Sequence, residues 1–134
     1  MYRALALFLL SFHSPRPDLA HTSAVWANKL SLADWHVSIT TVGANEIGDA
    51  ILGDITWDVR TKSARIRVLR EEDYDLPRRL ARRDQEATIV HELVHLRRTI
   101  SPDMKSAHDE EGVMVETGEL LRRNHNWLSL AVME

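Results

Sequence analysis

The sequence predicts an α+β protein in which a short, mainly antiparallel sheet is followed by a long helix carrying the chemistry and by a further helix. Three observations carry this expectation. Residues 35–42 alternate Trp35, Val37, Ile39 and Thr41 against His36, Ser38 and Thr40, the period of a half-buried strand. Residues 51–60 and 64–69 are two strand-like runs separated by the polar Thr61-Lys62-Ser63, which reads as a hairpin. From Asp84 the apolar period lengthens to that of a helix, through Ala87, Val90, Leu93, Val94 and Ile100. A chain of 134 residues has room for one hydrophobic core. The expected domain covers residues 18–134, with residues 1–17 as an N-terminal extension.

Taken in order, Asp18 follows the Pro15-Arg16-Pro17 break and can cap a helix to about residue 30, with Leu19, Val25, Trp26 and Leu30 at helical spacing. The strand at residues 35–42 leads into a turn-rich stretch, residues 43–48, and then into the hairpin, so that consecutive strands suggest an antiparallel meander. Acidic Asp84 and Glu86 favour a helix start there. Ser101-Pro102 ends that helix, because proline lacks an amide hydrogen and disfavours helical backbone in the residue before it. A last helix is expected over residues 109–124. Trp26, Trp35, Trp57 and Trp127 are spread over four elements, which suits core anchoring better than a stacking platform for bases.

Composition excludes several classes. Apolar residues make up 44% and charged residues 28%, the balance of a soluble globule, and the net charge of −3 offers no global field for nucleic acid. The one basic run, Arg78, Arg79, Arg82 and Arg83, reads as a solvated helix face. Without cysteine there is no disulfide, thiolate metal site or cysteine nucleophile. No apolar run approaches the roughly 20 residues of a membrane span. Residues 4–10, after Arg3, have the apolar character of a signal-peptide core, but a single charge precedes them and no clear small-residue cleavage site follows. A cytoplasmic location is expected.

The chemistry concentrates in His91-Glu92-Leu93-Val94-His95. Residues four apart on a helix share a face, so the two imidazoles can address one point in space. Catalytic zinc takes three protein ligands and keeps a position for water, and a glutamate beside the first histidine can take that water's proton. In a chain of this histidine and glutamate content the motif arises by chance about 3% of the time, which favours a real Zn2+ site. A metzincin would continue with glycine at position 98 and histidine at position 101, where this chain has Arg98 and Ser101. A gluzincin takes its third ligand from a downstream helix, where Glu110, Glu111, Glu116 and Glu119 are available. Face geometry favours Glu111, with Met114, Val115 and Gly118 on its side and Gly118 leaving room for close helix approach. Glu110 is next, sharing a face with Val113, Met114 and Thr117. His108 could assist as a ligand partner and Tyr74 as an oxyanion donor, although packing or exposure is the commoner role of such residues. His125 has no motif around it.

Residues 35–121 resemble the small, often phage-associated metallopeptidases of gluzincin type, the minigluzincins. The resemblance rests on the strand pair in residues 51–69, on Ala87-Thr88-Ile89-Val90-His91-Glu92-Leu93-Val94-His95-Leu96, and on Glu110-Glu111 opening the final helix. It implies a minimal zincin-like lobe whose edge strand lines the cleft, with His91, His95 and Glu111 as zinc ligands and Glu92 as the base. The expected activity is hydrolysis of a peptide or protein substrate, with neither nucleic acid nor membrane as a partner. The competing expectations are a zinc-binding regulatory or interaction protein without turnover, and an accessory protein that binds nucleic acid through the arginine run.

Overall fold

The computed structural model describes residues 18–101 and 109–125. Expectations for residues 1–17, for His108 and for Trp127 lie outside the described residues. Helix α1 (Asp18–Lys29) buries Ser23, Trp26 and Ala27, the i, i+3, i+4 stripe of one helix face. It stops where Ser31 takes a left-handed conformation (φ 62°) and the Leu32 amide turns back to the Ala27 carbonyl at 2.7 Å.

Strand β1 (His36–Val42) is followed by a short helix α2 (Ala44–Ile47), which occupies the stretch expected to be a turn. The hairpin strands are β2 (Gly53–Asp58) and β3 (Ser63–Leu69). The sheet order is β1-β3-β2, with β2 antiparallel to β3 and β1 parallel to it. The expected meander is therefore corrected to a mixed sheet. Burial accounts for the difference: Ala64, Ile66, Val68 and Leu69 of β3 are all enclosed, so β3 takes the slot with neighbours on both edges. β1 and β2, less buried, become the rims. Across β2 and β3 the Arg67 guanidinium grips the carboxylate of its register partner Asp54 with two nitrogens, pinning the rim strand.

The sequence motif lies in the long helix α3 (Arg78–Ile100), which begins well before Asp84. Its early start has a tertiary cause. A 3₁₀ turn at Glu71–Asp73 turns Glu71 inward, and the buried Glu71 carboxylate accepts from Arg82 Nε at 2.9 Å with Arg78 Nε 3.6 Å away. The arginine run is thus the first part of α3, and two of its members neutralise a buried charge. Further along, Gln85 donates to the Leu69 carbonyl at the end of β3 (3.0 Å), and Glu86 accepts from the buried Trp26 indole (2.8 Å). Ile89, Val90, Leu93, Val94 and Leu96 are fully enclosed between the sheet, α1 and the last helix, α4 (Glu110–His125). Each contributes about 1.5–3 kcal/mol by leaving water. Trp26 and Trp35 are core residues as expected, whereas Trp57 on rim strand β2 is exposed. No helix among the described residues is long and apolar enough to cross a membrane.

The sheet meets α3 most closely at Gly53. A Cβ there would lie 2.3 Å from Thr88 Cγ2 and 2.9 Å from the Arg67 carbonyl oxygen. Only glycine allows β2 to start this close to the motif helix. Gly53→Ala should destabilise the fold by about 1–3 kcal/mol, the usual cost of an overpacked contact. Urea denaturation reads this directly, and an unchanged midpoint would mean that the strand can move away from α3 at no cost.

Candidate functional site

On α3 the i, i+4 spacing does what helix geometry requires: His91 and His95 stand on one face with ring centroids 4.8 Å apart. A third group comes from α4. His91 Nε2 lies 2.7 Å from Glu110 Oε1, and His95 Nε2 lies 3.0 Å from Glu110 Oε2, so a single carboxylate spans both imidazoles. Glu92 completes the cluster, with one ligand atom from each of His91, Glu92 and His95 within 4.8 Å of the others.

Glu111 is not at the histidines. It lines a separate depression with Arg98, Gly112 and Val115 on another side of α4. The expectation that Glu111 faces α3 is corrected by the burial of α4 itself. Met114 and Val115, assigned to the packed side, are 62% and 56% exposed, while Val113, Thr117 and Leu121 are 0%, 6% and 4% exposed. The packed stripe therefore runs through Val113, Thr117 and Leu121, and Glu110, one turn before Val113, is the glutamate beside the histidines. Of the other candidates, Glu116 pairs with both Arg97 and Arg98, and Glu119 lies 3.9 Å from Arg123 in an exposed i, i+4 pair.

Two local devices hold Glu110 in place. Asp109 caps α4, its Oδ1 accepting from the Gly112 amide at 3.1 Å. Arg98, one turn beyond His95 on α3, donates through Nε to Glu116 Oε1 (3.0 Å) and through Nη2 to the Gly112 carbonyl (3.2 Å). A Cβ on Gly112 would stand 2.8 Å from Arg98 Nη1 and 2.3 Å from Asp109 Oδ2, so a side chain there would displace the ends of both groups. Sequence reasoning missed this clamp. The signal available was the Val113–Thr117–Leu121 spacing, together with an aspartate three residues before a glycine at a helix start.

Electrostatics follow from burial. Burial lowers the His91 pKa, with Glu110 opposing, which favours the neutral imidazole that can act as a ligand. Burial pushes the Glu92 carboxyl up to about 7; His95 draws it down, while the Glu110 and Asp54 carboxylates add to the rise. A dication held between the histidines would lower it again. Tyr74 packs beside Val42, Ile47 and Leu69, with its hydroxyl shut from solvent. Its phenol is held protonated by burial and by the neighbouring Asp84 carboxylate. It lies outside the lining of the cleft described next, which fits the packing role.

The cluster opens into a cleft of about 770 Å³. One wall is the segment Ala50, Ile51, Leu52 and Gly53, the other is α4 through Glu110, Met114 and Thr117, and α3 forms the floor through Asp84, Thr88, His91 and Glu92. Ile51, Leu52 and Met114 expose large apolar surface there. The size is that of sites that enclose small organic molecules or a few peptide residues. Fold and site define a small α+β protein with a three-stranded mixed sheet and four α-helices among the described residues, and with two histidines and two glutamates gathered at an open cleft. Comparison of the chain with known families, with curated proteins and with solved structures finds no match.

Proposed function

We propose that this chain is a zinc-dependent hydrolase, a metallopeptidase built as a minimal zincin-like lobe of gluzincin type. In this reading His91, His95 and Glu110 hold the ion and Glu92 is the general base. The observation that carries it is the pair of Nε2 atoms facing the two oxygens of one carboxylate, at 2.7 and 3.0 Å. Ligand atoms around a tetrahedral zinc with arms of about 2.0–2.1 Å stand about 3.3 Å apart, so a few tenths of an ångström of widening admits the ion. Two imidazoles and a carboxylate, with no thiolate, are the donor set of catalytic rather than structural zinc sites.

Zinc at that position supplies Lewis acidity toward a substrate carbonyl and acidifies water. The chain's own groups do the rest. Glu92, buried beside the first histidine, accepts the proton of the attacking water and returns it to the leaving amine. An extended peptide in the cleft can add to the free edge of β2, exchanging main-chain hydrogen bonds with it, while Ile51, Leu52 and Met114 receive apolar side chains.

The test is elemental analysis of metal-replete protein together with hydrolysis of denatured casein. The expected result is about one zinc per chain and proteolysis that a chelator stops. Absence of stoichiometric zinc would end the reading, and one zinc without any hydrolysis would leave a binding protein instead.

A further inference from the structure

Beyond the metal cluster, the cleft carries one more charged group whose position calls for a partner. Asp84 sits on α3 two turns before His91 and lines the far end of the same cleft. Asp84 is half-buried, and its Oδ2 is sealed from solvent without a hydrogen-bond partner, with the Tyr74 phenol as a neighbour of the carboxylate. Among the described residues no lysine or arginine lines the cleft. Apolar Ile51, Leu52 and Ala87 line the same cleft and reduce the solvent screening of any pair formed inside it.

We infer that Asp84 recognises a positive charge on the substrate, the ammonium or guanidinium group of a peptide lying along α3. The inference rests on the peptidase reading above and deepens it by naming a substrate class. Seven helical residues separate Asp84 from His91, about 10 Å at 1.5 Å per residue. Extended peptide advances about 3.3 Å per residue. The recognised charge therefore stands about three residues from the bond that is cut. A partly desolvated carboxylate with no cation beside it in the cleft is costly, and a substrate cation that reaches it relieves that cost on binding. Two sources carry this chemistry: a lysine or arginine side chain within the peptide, or the free amino terminus of a peptide cut about three residues in.

The experiment incubates the zinc-loaded full chain with synthetic decapeptides that carry Lys, Arg, Gln or Glu at each position in turn. Each is made with a free and with an acetylated amino terminus, and the cuts are located by mass spectrometry. We expect basic residues about three positions from the cut to be favoured about 10-fold over Gln, the scale of one partly buried ion pair, and Glu there to be disfavoured. If acetylation removes the preference, the amino terminus is the recognised cation; if it does not, the side chain is. Cleavage that ignores both basic residues and the amino terminus overturns the assignment of Asp84 while leaving the peptidase reading intact. No cleavage of any peptide by zinc-loaded protein overturns both. Asp84→Asn should raise KM for the basic peptides about 10-fold relative to the Gln series, and Asp84→Lys should turn the preference toward Glu. Zinc content is measured in each variant to separate lost recognition from a lost ion, and the profile of the unaltered protein decides the matter even if a variant fails to fold.

Discussion

Alanine in place of Glu110 should strip the protein of zinc, while alanine in place of the adjacent Glu111 should leave zinc binding close to that of the parent. The expectation follows from geometry alone. Glu110 meets both His91 and His95 through separate oxygens, whereas Glu111 lines a depression elsewhere on α4. Removing even an outer-shell partner of a metal ligand costs about 10–100-fold in affinity, so loss of a ligand itself should exceed roughly 100-fold. Zinc titration against a chromophoric chelator measures both variants on one scale. Because the Glu110 side chain is 60% exposed, its removal should have little effect on the folding of the metal-free chain. That separates a lost ligand from a lost structure. A large loss confined to Glu111→Ala would return the third ligand to the neighbour that face geometry favours in the bare sequence.

Glu92→Gln should abolish peptide hydrolysis by a factor of about 10²–10⁴, the range spanned by a positioned general base, and yet retain zinc. The amide matches the carboxylate in shape but cannot accept the proton of the attacking water. Retention of the ion is the informative half, because Glu92 also lies within the cluster of possible ligand atoms. If the variant lost zinc along with activity, Glu92 would belong to the metal sphere rather than to the proton transfer. If it kept full activity, the base would have to be sought elsewhere along the cleft. Glu92 is buried and its carboxyl is pushed up to about 7, so glutamine removes an ionisable group that is poorly solvated. The variant should therefore be no less stable than the parent near neutral pH.

The local parts of the fold are readable in the chain because local rules produce them. Asp18 after a proline break, the alternation of residues 35–42 and the polar Thr61-Lys62-Ser63 between two strand-like runs lead to α1, β1 and the β2–β3 hairpin. The misreadings all concern partners distant in sequence. The slot of β3 between β1 and β2 depends on which strand buries most, and parallel pairing of β1 leaves no turn signal for a reader to find. The start of α3 at Arg78 depends on the buried Glu71, a carboxylate that pairs with two arginines of the run, which keep their solvent-exposed face as expected. Trp57 has the same composition signal as Trp26 and differs only in lying on a rim strand.

The sequence by itself determined that His91 and His95 share a face with Glu92 beside them, because a spacing of four on a helix leaves no other arrangement. It also determined that no thiol competes with those imidazoles. Which glutamate meets the histidines was left to the tertiary structure. Consecutive helical residues point about 100° apart, and the choice between Glu110 and Glu111 turns on which side of α4 is buried. Val113, Thr117 and Leu121 win that side over Met114 and Val115 because Arg98 fastens the Gly112 carbonyl and Glu116 to the end of α3 and so sets the rotation of α4. That contact joins residues in different helices, and no period within either helix encodes it.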